Sequence, residues 1–526
     1  MLRSSASRDP AACPAAQARR GLLARSAPPP PDPLACAARL GRGINVNPYS
    51  GTGTLRRRDL FALGAATALA GCRQDAAPRP NILFAISDDQ SFAHTGASGD
   101  PVVRTPVFDR ICAEGVRFEH AFCNAPSCTP SRGAILTGQE CYRLEEGVNL
   151  WSSLPAKFVT YPDLLEAEGY HIGYTRKGWG PGSIEAGGRS RNPAGPRYED
   201  FQSFYEANPS GCPFCFWFGS SDPHRAYEKG SGLASGLRPE DVPVPPFLPD
   251  DPEVRSDILD YYFEIERFDR ELGEILSFLE ERGQLANTVV IVTSDNGMPF
   301  PRAKADLYDY GARVPLAIRW PASVPGERVV TDFVSLVDIA PTILESAGIE
   351  IPSDMTGRSL LTLLESGEDG RVDATRDHVI SVLERHTPWR EGRVGYPKRA
   401  IRTDQFLYIR NYEPDRWPGG DPPILGEVDP SPTKEFMRAR RDEPGLKRYY
   451  EAAFAKRPSE ELYDVERDPG QMNNLAADEA HAEIKSALAA RLDQHLLATA
   501  DPRALGHPPT WESDPHHGRL TLEQRR

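Results

Sequence analysis

Asn81-Ile82-Leu83-Phe84-Ala85-Ile86-Ser87-Asp88-Asp89 reads as a strand that ends on a pair of carboxylates. The apolar run Asn81–Ile86 does not alternate, so it is expected to be buried on both faces, as strands of parallel sheets are. The same grammar recurs along the chain. His171–Thr175 leads into Arg176-Lys177, Phe214–Phe218 into Asp222-Pro223-His224-Arg225, and the β-branched Thr288–Val292 into Ser294-Asp295-Asn296-Gly297. Pro315–Arg319 is a further strand. Between these runs lie helical patterns: Thr105–Gly115, a long helix with Ile258, Leu259, Tyr262, Ile265, Phe268, Leu272, Ile275, Leu276 and Leu279 at i+3/i+4 spacing and Gly283 as its stop, and Val334–Gly348. Strands separated by helices predict an α/β fold, a large, mostly parallel mixed sheet flanked by helices. In such sheets ligands bind beyond the carboxyl ends of the strands, where this chain concentrates Asp88, Asp89, Lys177, His224, Asp295 and Asn296.

This pattern occupies residues 78–378. Over 379–500 the alternation weakens: His378–Leu383 and Ala400–Ile409 are strand-like and Ala477–Leu497 helical, which predicts a smaller α+β subdomain with an antiparallel sheet. Residues 501–526 read as a polar tail. Of 526 residues 39% are apolar, enough for a sizeable core, and 50 prolines with 44 glycines exclude a coiled coil or simple bundle. The net charge of −14 excludes a general nucleic-acid binder. Charge is uneven: ten arginines against three aspartates precede Cys72, and the remainder carries a net −21.

Residues 1–77 read as a disordered leader with an export signal and linker. An Ala-, Arg- and Pro-rich stretch cannot bury a core. It is followed by Arg56-Arg57-Arg58-Asp59-Leu60-Phe61, the apolar run Ala62–Gly71 and Cys72. The apolar run is too short to span a bilayer, which takes roughly 20 residues. Arg57-Arg58 resembles the twin-arginine motif, and Leu69-Ala70-Gly71-Cys72 a lipoprotein box with Cys72 lipidated. The expectation is an exported, periplasmic or cell-surface lipoprotein that meets the membrane only through a lipid anchor. The length ahead of the arginines suggests a translation start nearer Val46 or Leu55. Six cysteines lie beyond Cys72, too few for a disulfide scaffold. Cys212-Pro-Phe-Cys215 has redox spacing but runs into a strand, so Cys215 reads as structural.

Asp88, Asp89, Asp295 and Asn296 are all oxygen donors, a set suited to a hard cation such as Ca²⁺ or Mg²⁺. Adjacent carboxylates repel unless a cation compensates them. Arg132, Lys177, His224 and Lys304 supply positive charge and donors, a combination suited to an oxyanion ester.

Cys128-Thr129-Pro130-Ser131-Arg132-Gly133-Ala134-Ile135-Leu136-Thr137-Gly138 resembles the signature of the type I sulfatases, Cys-x-Pro-x-Arg followed by Leu-Thr-Gly. Asn81–Asp89, Thr293–Gly297, Ser335–Gly348 and Glu461-Leu462-Tyr463-Asp464 with Asp468-Pro469 resemble further segments of that family. The resemblance implies an alkaline-phosphatase-like fold and a formylglycine-dependent sulfuric ester or sulfamate hydrolase. It implies that a formylglycine-generating enzyme oxidises Cys128 and that a hydroxyl of the hydrated aldehyde attacks sulfur. Residue 128, Asp88, Asp89, Asp295 and Asn296 would hold the cation, most often Ca²⁺. Asp295 would accept the diol proton, Arg132 hold the formylglycine hydroxyl, Lys177 and Lys304 bind sulfate oxygens, and His224 protonate the leaving group. One departure stands out. The family's Lys-x-His pair reads Lys177-Gly178-Trp179 here, and indole is no base, so His94, His386 or another group substitutes, or the metal and Lys177 suffice.

Asp222-Pro223-His224-Arg225, Ser294–Pro301 continuing to Leu307-Tyr308, and Gly395-Tyr396-Pro397-Lys398-Arg399 resemble the N-sulfoglucosamine sulfohydrolase (sulfamidase) group. The implied substrate is a sulfated, glycosaminoglycan-type saccharide, N- or O-sulfated glucosamine. Glu384, His386 and Arg390 are candidate substrate contacts. The net −21 disfavours holding a long polyanion along the surface and favours a chain end or small substrate. Two other readings stand at this point: a phosphoester or phosphonate-ester hydrolase, or a non-catalytic glycan-binding lipoprotein in which Cys128 stays a thiol.

Overall fold

The computed structural model describes residues 79–209, 211–507 and 509–518. The leader, with Arg57, Arg58 and the lipidation candidate Cys72, lies outside the described residues. The main sheet comprises β1 (Asn81–Ser87), β2 (Val116–Phe122), β3 (His171–Arg176), β4 (Phe214–Gly219), β5 (Thr288–Ser294), β6 (Leu316–Arg319) and β7 (Arg328–Ser335), in the order β3-β4-β1-β5-β6-β2-β7. β6 runs antiparallel to both neighbours, and every other pairing is parallel.

Alternation along β1 separates two helical layers. Ile82, Phe84 and Ile86 pack in one core with Ile135 and Leu136 of the helix Cys128–Thr137 and Ile339 and Ile343 of the helix Ile339–Ser346. Leu83 and Ala85 pack in another with Ile111 of the helix Pro106–Glu114 and Phe268, Leu272 and Leu276 of the helix Pro252–Glu281. Burial on both faces explains the unbroken apolar runs. Cys215 sits in the first of these cores and its thiol is free, as is that of Cys212.

The second sheet has the antiparallel order β11-β10-β9-β8, from β8 (His378–Leu383), β9 (Lys398–Thr403), β10 (Phe406–Asn411) and β11 (Glu460–Asp464). Ile380, Val382, Ile401, Tyr408 and Leu462 pack on Leu488, Leu492 and Leu496 of the helix Ala482–Ala498. The opposite face carries Leu407, Ile409 and Tyr463 against Leu307 and Tyr308 of the loop after β5.

Four details depart from the sequence reading. β2 and β7 were not anticipated, because Arg117, Glu119, His120 and Asp332 break their apolar pattern. The helix expected from Val334 starts at Ile339, since Val334 and Ser335 finish β7 and a capping box of Ser335 with Asp338 turns the chain. Ala400–Ile409 is a hairpin, not one strand: it turns at Asp404-Gln405, which carry no glycine to mark it. The stretch expected as a polar tail is anchored from Asp501 to Gly518. Asp501 accepts from Arg399 Nε at 2.6 Å, Trp511 is buried, and its carbonyl accepts from Asn149 Nδ2 at 2.8 Å. Arg385 donates to the carbonyls of Glu512 and Asp514 at 3.1 and 2.9 Å. Few apolar residues are needed where buried ion pairs and backbone bonds do the holding.

Candidate active site

β1 and β5 pair in register from Asn81–Thr288 to Ser87–Ser294, so the residues that follow emerge side by side. Asp89 N–H donates to Asp295 Oδ1 at 3.1 Å, and Gln90 N–H to Ser294 Oγ at 2.8 Å. Asp89 lies at φ +74°, left-handed for a non-glycine residue and strained. Asp88, Asp89, Asp295 and Asn296 are all buried.

The helix Cys128–Thr137 points its first turn at these carboxylates. Pro130 is tolerated there because the first four N–H groups of a helix have no partner within it. Ser131 Oγ donates to the Asp295 carbonyl at 2.6 Å and Arg132 Nε to Asp295 Oδ2 at 2.8 Å. Arg132 Nη1 also reaches the carbonyls of Lys177 and Gly178 at 3.0 and 3.1 Å, tying the helix to the end of β3. Cys128 Sγ donates to Asp88 Oδ1 at 3.5 Å. Burial pushes the Cys128 thiol well above its usual range; Lys177 opposes this, and Asp295 and Asp88 add to it. A thiol so placed is protonated and a poor nucleophile.

Lys177 Nζ donates to Asp88 Oδ2 at 2.5 Å, and Lys304 Nζ to Asp89 Oδ2. Burial works against the Asp88 charge, but Lys177, His224 and Arg132 outweigh it and hold its carboxyl at about 2. The adjacent carboxylates are thus each matched by an ammonium, so part of the compensating positive charge comes from the chain itself. A cation still fits the donor set. Asp88, Asp89, Cys128 and Asp295 offer ligand atoms all within 4.8 Å of one another, and the buried Asn296 Oδ1 has no hydrogen-bond partner. Asn296 Nδ2 meanwhile donates to Asp89 Oδ1 at 2.6 Å.

Cys128, Lys177, His224, Lys304 and His386 line one cavity of about 680 Å³. His224 Nδ1 bonds the Arg225 carbonyl at 2.6 Å, and its Nε2 stands 3.8 Å from Asp89 Oδ2. His386, just after β8, bonds Ser127 Oγ through Nδ1 at 2.8 Å. Burial, with Lys304 adding, pushes its imidazole down to about 3, so it is neutral.

Two candidate substrate contacts are engaged elsewhere. Glu384 pairs with Arg399 at 2.8 Å and with Arg503 at 2.6 Å. Arg390 pairs with Glu427 at 2.6 Å and donates to the carbonyls of Trp417 and Pro418. Both are buried ion pairs that brace the loop carrying His386, an arrangement the local sequence does not reveal. Trp179 is a core residue beside Gly133 and Gly182. His94 bonds Asp100 at 3.3 Å among Tyr261, Tyr262 and Tyr310 and does not line the cavity. His386 is therefore the remaining named candidate for the second histidine.

Asp429 escaped the sequence reading. It lines the cavity 3.6 Å from Lys304 Nζ, and its carboxylate clusters with Asp89 and His224. It sits in Asp429-Pro430-Ser431-Pro432, a loop before a helix, and nothing local distinguishes it from an ordinary turn acid.

The Sulfatase family model matches residues 80–349, and that of the N-sulphoglucosamine sulphohydrolase C-terminal region matches 303–421. The chain belongs to the sulfatase family. It is 30% identical over 489 residues to the human N-sulphoglucosamine sulphohydrolase, an alignment covering 82% of this sulfatase and 92% of the relative. An ulvan-active sulfatase from Formosa agariphila is 26% identical over 466 residues, covering 80% and 76%. Among solved structures, a protein in complex with its substrate D-glucosamine-2-N,6-O-disulfate superposes with a TM-score of 0.59 at 20% identity, over 80% of this chain and 98% of that one. The fold is the alkaline-phosphatase-like one, and the sulfatase is a sulfate-ester or sulfamate hydrolase.

The electrostatics of Asp429 have a measurable consequence. Burial raises its carboxyl, but Lys304 first, then His224 and Arg225, hold it at about 2, below its unfolded value of 3.8. A depressed carboxyl contributes stability that is present above about pH 4 and lost as pH falls toward 2. Asp429→Asn is expected to lower the unfolding free energy by about 1–2 kcal/mol at pH 6. At pH 2.5 it should have little effect, as read by denaturant unfolding at the two pH values.

Proposed function

We propose that this sulfatase removes sulfate from a sulfated sugar of the glycosaminoglycan type, N- or O-sulfated glucosamine, with residue 128 as formylglycine and a divalent cation, Ca²⁺ or Mg²⁺. The observation that carries the reading is the setting of Cys128. It is a buried, protonated thiol in a cavity wall, 3.5 Å from Asp88 and one helix turn before Arg132. As a thiol it is inert there, and it gains a function once oxidised. The sugar class is supported by the C-terminal family match and by the human relative, aligned over nearly its whole length.

Asp88, Asp89, Asp295 and Asn296 would hold the cation, joined by residue 128. Such an ion, when bound, polarises an oxygen and eases its ionisation. Arg132 orients the residue-128 side of the site through Asp295, whose other oxygen is fixed by the Asp89 N–H. Lys177 and Lys304 oppose charge that builds on the non-bridging sulfate oxygens. Because His224 gives its Nδ1 side to the Arg225 carbonyl, Nε2 is the nitrogen left to deliver a proton to the leaving oxygen or nitrogen. His386, neutral and fixed by Ser127, takes the place of the second histidine.

Cys128→Ala is expected to leave a folded protein whose turnover of sulfated glucosamine falls by roughly 10⁴-fold or more. Mass measurement of the peptide containing residue 128, from cells with the maturation enzyme, should find an aldehyde in place of the thiol. An unmodified thiol in active protein overturns the assignment, and an unmodified thiol in protein that binds the sugar without turnover leaves a glycan binder.

Exhaustive chelation is expected to abolish activity and to lower the melting temperature modestly, both restored by Ca²⁺ or Mg²⁺. The fall is modest because Lys177, Lys304 and Arg132 already pair with the carboxylates, so only the binding linkage is lost. Activity that survives chelation sinks the cation assignment.

We also propose export as a folded, already matured lipoprotein anchored at Cys72. The signal in Arg57-Arg58 and Leu69–Cys72 supports this, and among the described residues no helix is long and apolar enough to cross a membrane. Replacing Arg57 and Arg58 with Lys should trap active protein, carrying formylglycine, in the cytoplasm. A trapped precursor with an intact Cys128 thiol, beside oxidised exported protein, would reverse that order.

A further inference from the structure

The helix Pro432–Ala439 lends two cations, Lys434 and Arg438, to the cavity that Cys128, Lys177 and Lys304 line. Lys434 is only 3% exposed. Its Nζ makes one hydrogen bond, to the Val428 carbonyl at 2.7 Å. Among the described residues no carboxylate lies within 4.0 Å of it. The other lysines of this region are paired: the half-buried Lys177 with Asp88, and the buried Lys304 with Asp89 and Lys398 with Asp306. The acids nearest to Lys434 are already engaged. Glu435 holds Arg438 through both oxygens at 2.8 and 2.9 Å, and Asp429 faces Lys304. Burial, with Arg438 adding, accordingly pulls the Lys434 ammonium down to about 8. A buried charge without a counter-charge is costly, and the cost is relieved when an anion arrives with its own hydrogen-bond acceptors.

We propose that Lys434, with Arg438 at its outer edge, forms a second anion subsite of the catalytic cavity, so that the preferred substrates are sugars bearing a further sulfate or carboxylate besides the sulfate removed. This rests on the sulfated-sugar reading above and refines it. The wall of the subsite is well fixed. The Trp389 ring lies directly on Gly426, where a Cβ would fall 2.1 Å from it, and both line the cavity beside Val428. An aromatic wall in the same cavity as these cations suits a sugar ring that carries an anionic substituent. A local subsite also reconciles an anionic substrate with a chain whose net charge is −14.

The test separates binding from turnover. Calorimetric binding to the full-length Cys128→Ala protein would compare glucosamine N-sulfate, glucosamine carrying both N- and 6-O-sulfate, and N-sulfated glucosamine linked to a uronate. The doubly anionic ligands should bind about tenfold more tightly, the gain of one charge-assisted pair. Lys434→Gln in the same background should erase that ratio, and Lys434→Arg should restore most of it. The arm that shows the larger ratio, disulfate or uronate, identifies the second anion. Equal affinities for all three ligands, or a ratio that survives Lys434→Gln, overturns the subsite. Turnover of the same compounds by the matured protein is read separately. If the binding contrast holds and none is hydrolysed, the sulfated-sugar hydrolase reading fails while the subsite stands.

Discussion

The parallel pairing of β1 with β5 is the constraint on which the active site depends. Seven residue pairs run without a bulge from Asn81–Thr288 to Ser87–Ser294. Both strands are buried on both faces, so a slip of one residue would move every side chain into the wrong core and is strongly penalised. That register delivers Asp88-Asp89 and Asp295-Asn296 to one point, and the Asp89 N–H bond to Asp295 closes the junction. Arg132 then ties this junction to the helix Cys128–Thr137 and to β3 in a single side chain that is fully buried. A lysine there could not span all three, since only a planar guanidinium presents donors in a fixed fork.

Much of this was legible in the chain. The strands that carry site residues are unbroken apolar runs, and a polar group directly after such a run is where an α/β sheet displays its chemistry. The segment Cys128–Gly138 has a signature specific enough to name a family, and the long helix Pro252–Glu281 betrays itself by spacing. The structure and the family matches agree with these readings.

What escaped has physical reasons. β2 and β7 mix charged residues into their runs because they lie toward the edge of the sheet, where side chains such as Arg117 and Glu119 are half-buried. Glu384 and Arg390 looked like free charges in a loop, yet each has a partner far away in sequence, Arg503 and Glu427, and only the fold brings them together. Asp429 and Lys434 were invisible for the opposite reason. Their significance lies in facing the same cavity as Lys304 and Cys128, and no local pattern encodes that. His386 was named among the possible substitutes, and what separated it from His94 was its place in the wall of the cavity.

The bond between Ser127 and His386 joins residues 259 positions apart, and Arg132 reaches Asp295 across 163. Contacts of such long range form only after extensive loop closure, and folds dominated by them are slow. The segment that begins at Ser127 is therefore among the last parts of this chain to lose contact with water. For the maturation proposed at residue 128, the topology that builds the cavity also sets the time available: a variant that sped the docking of the second sheet would shorten the interval in which that residue is reachable.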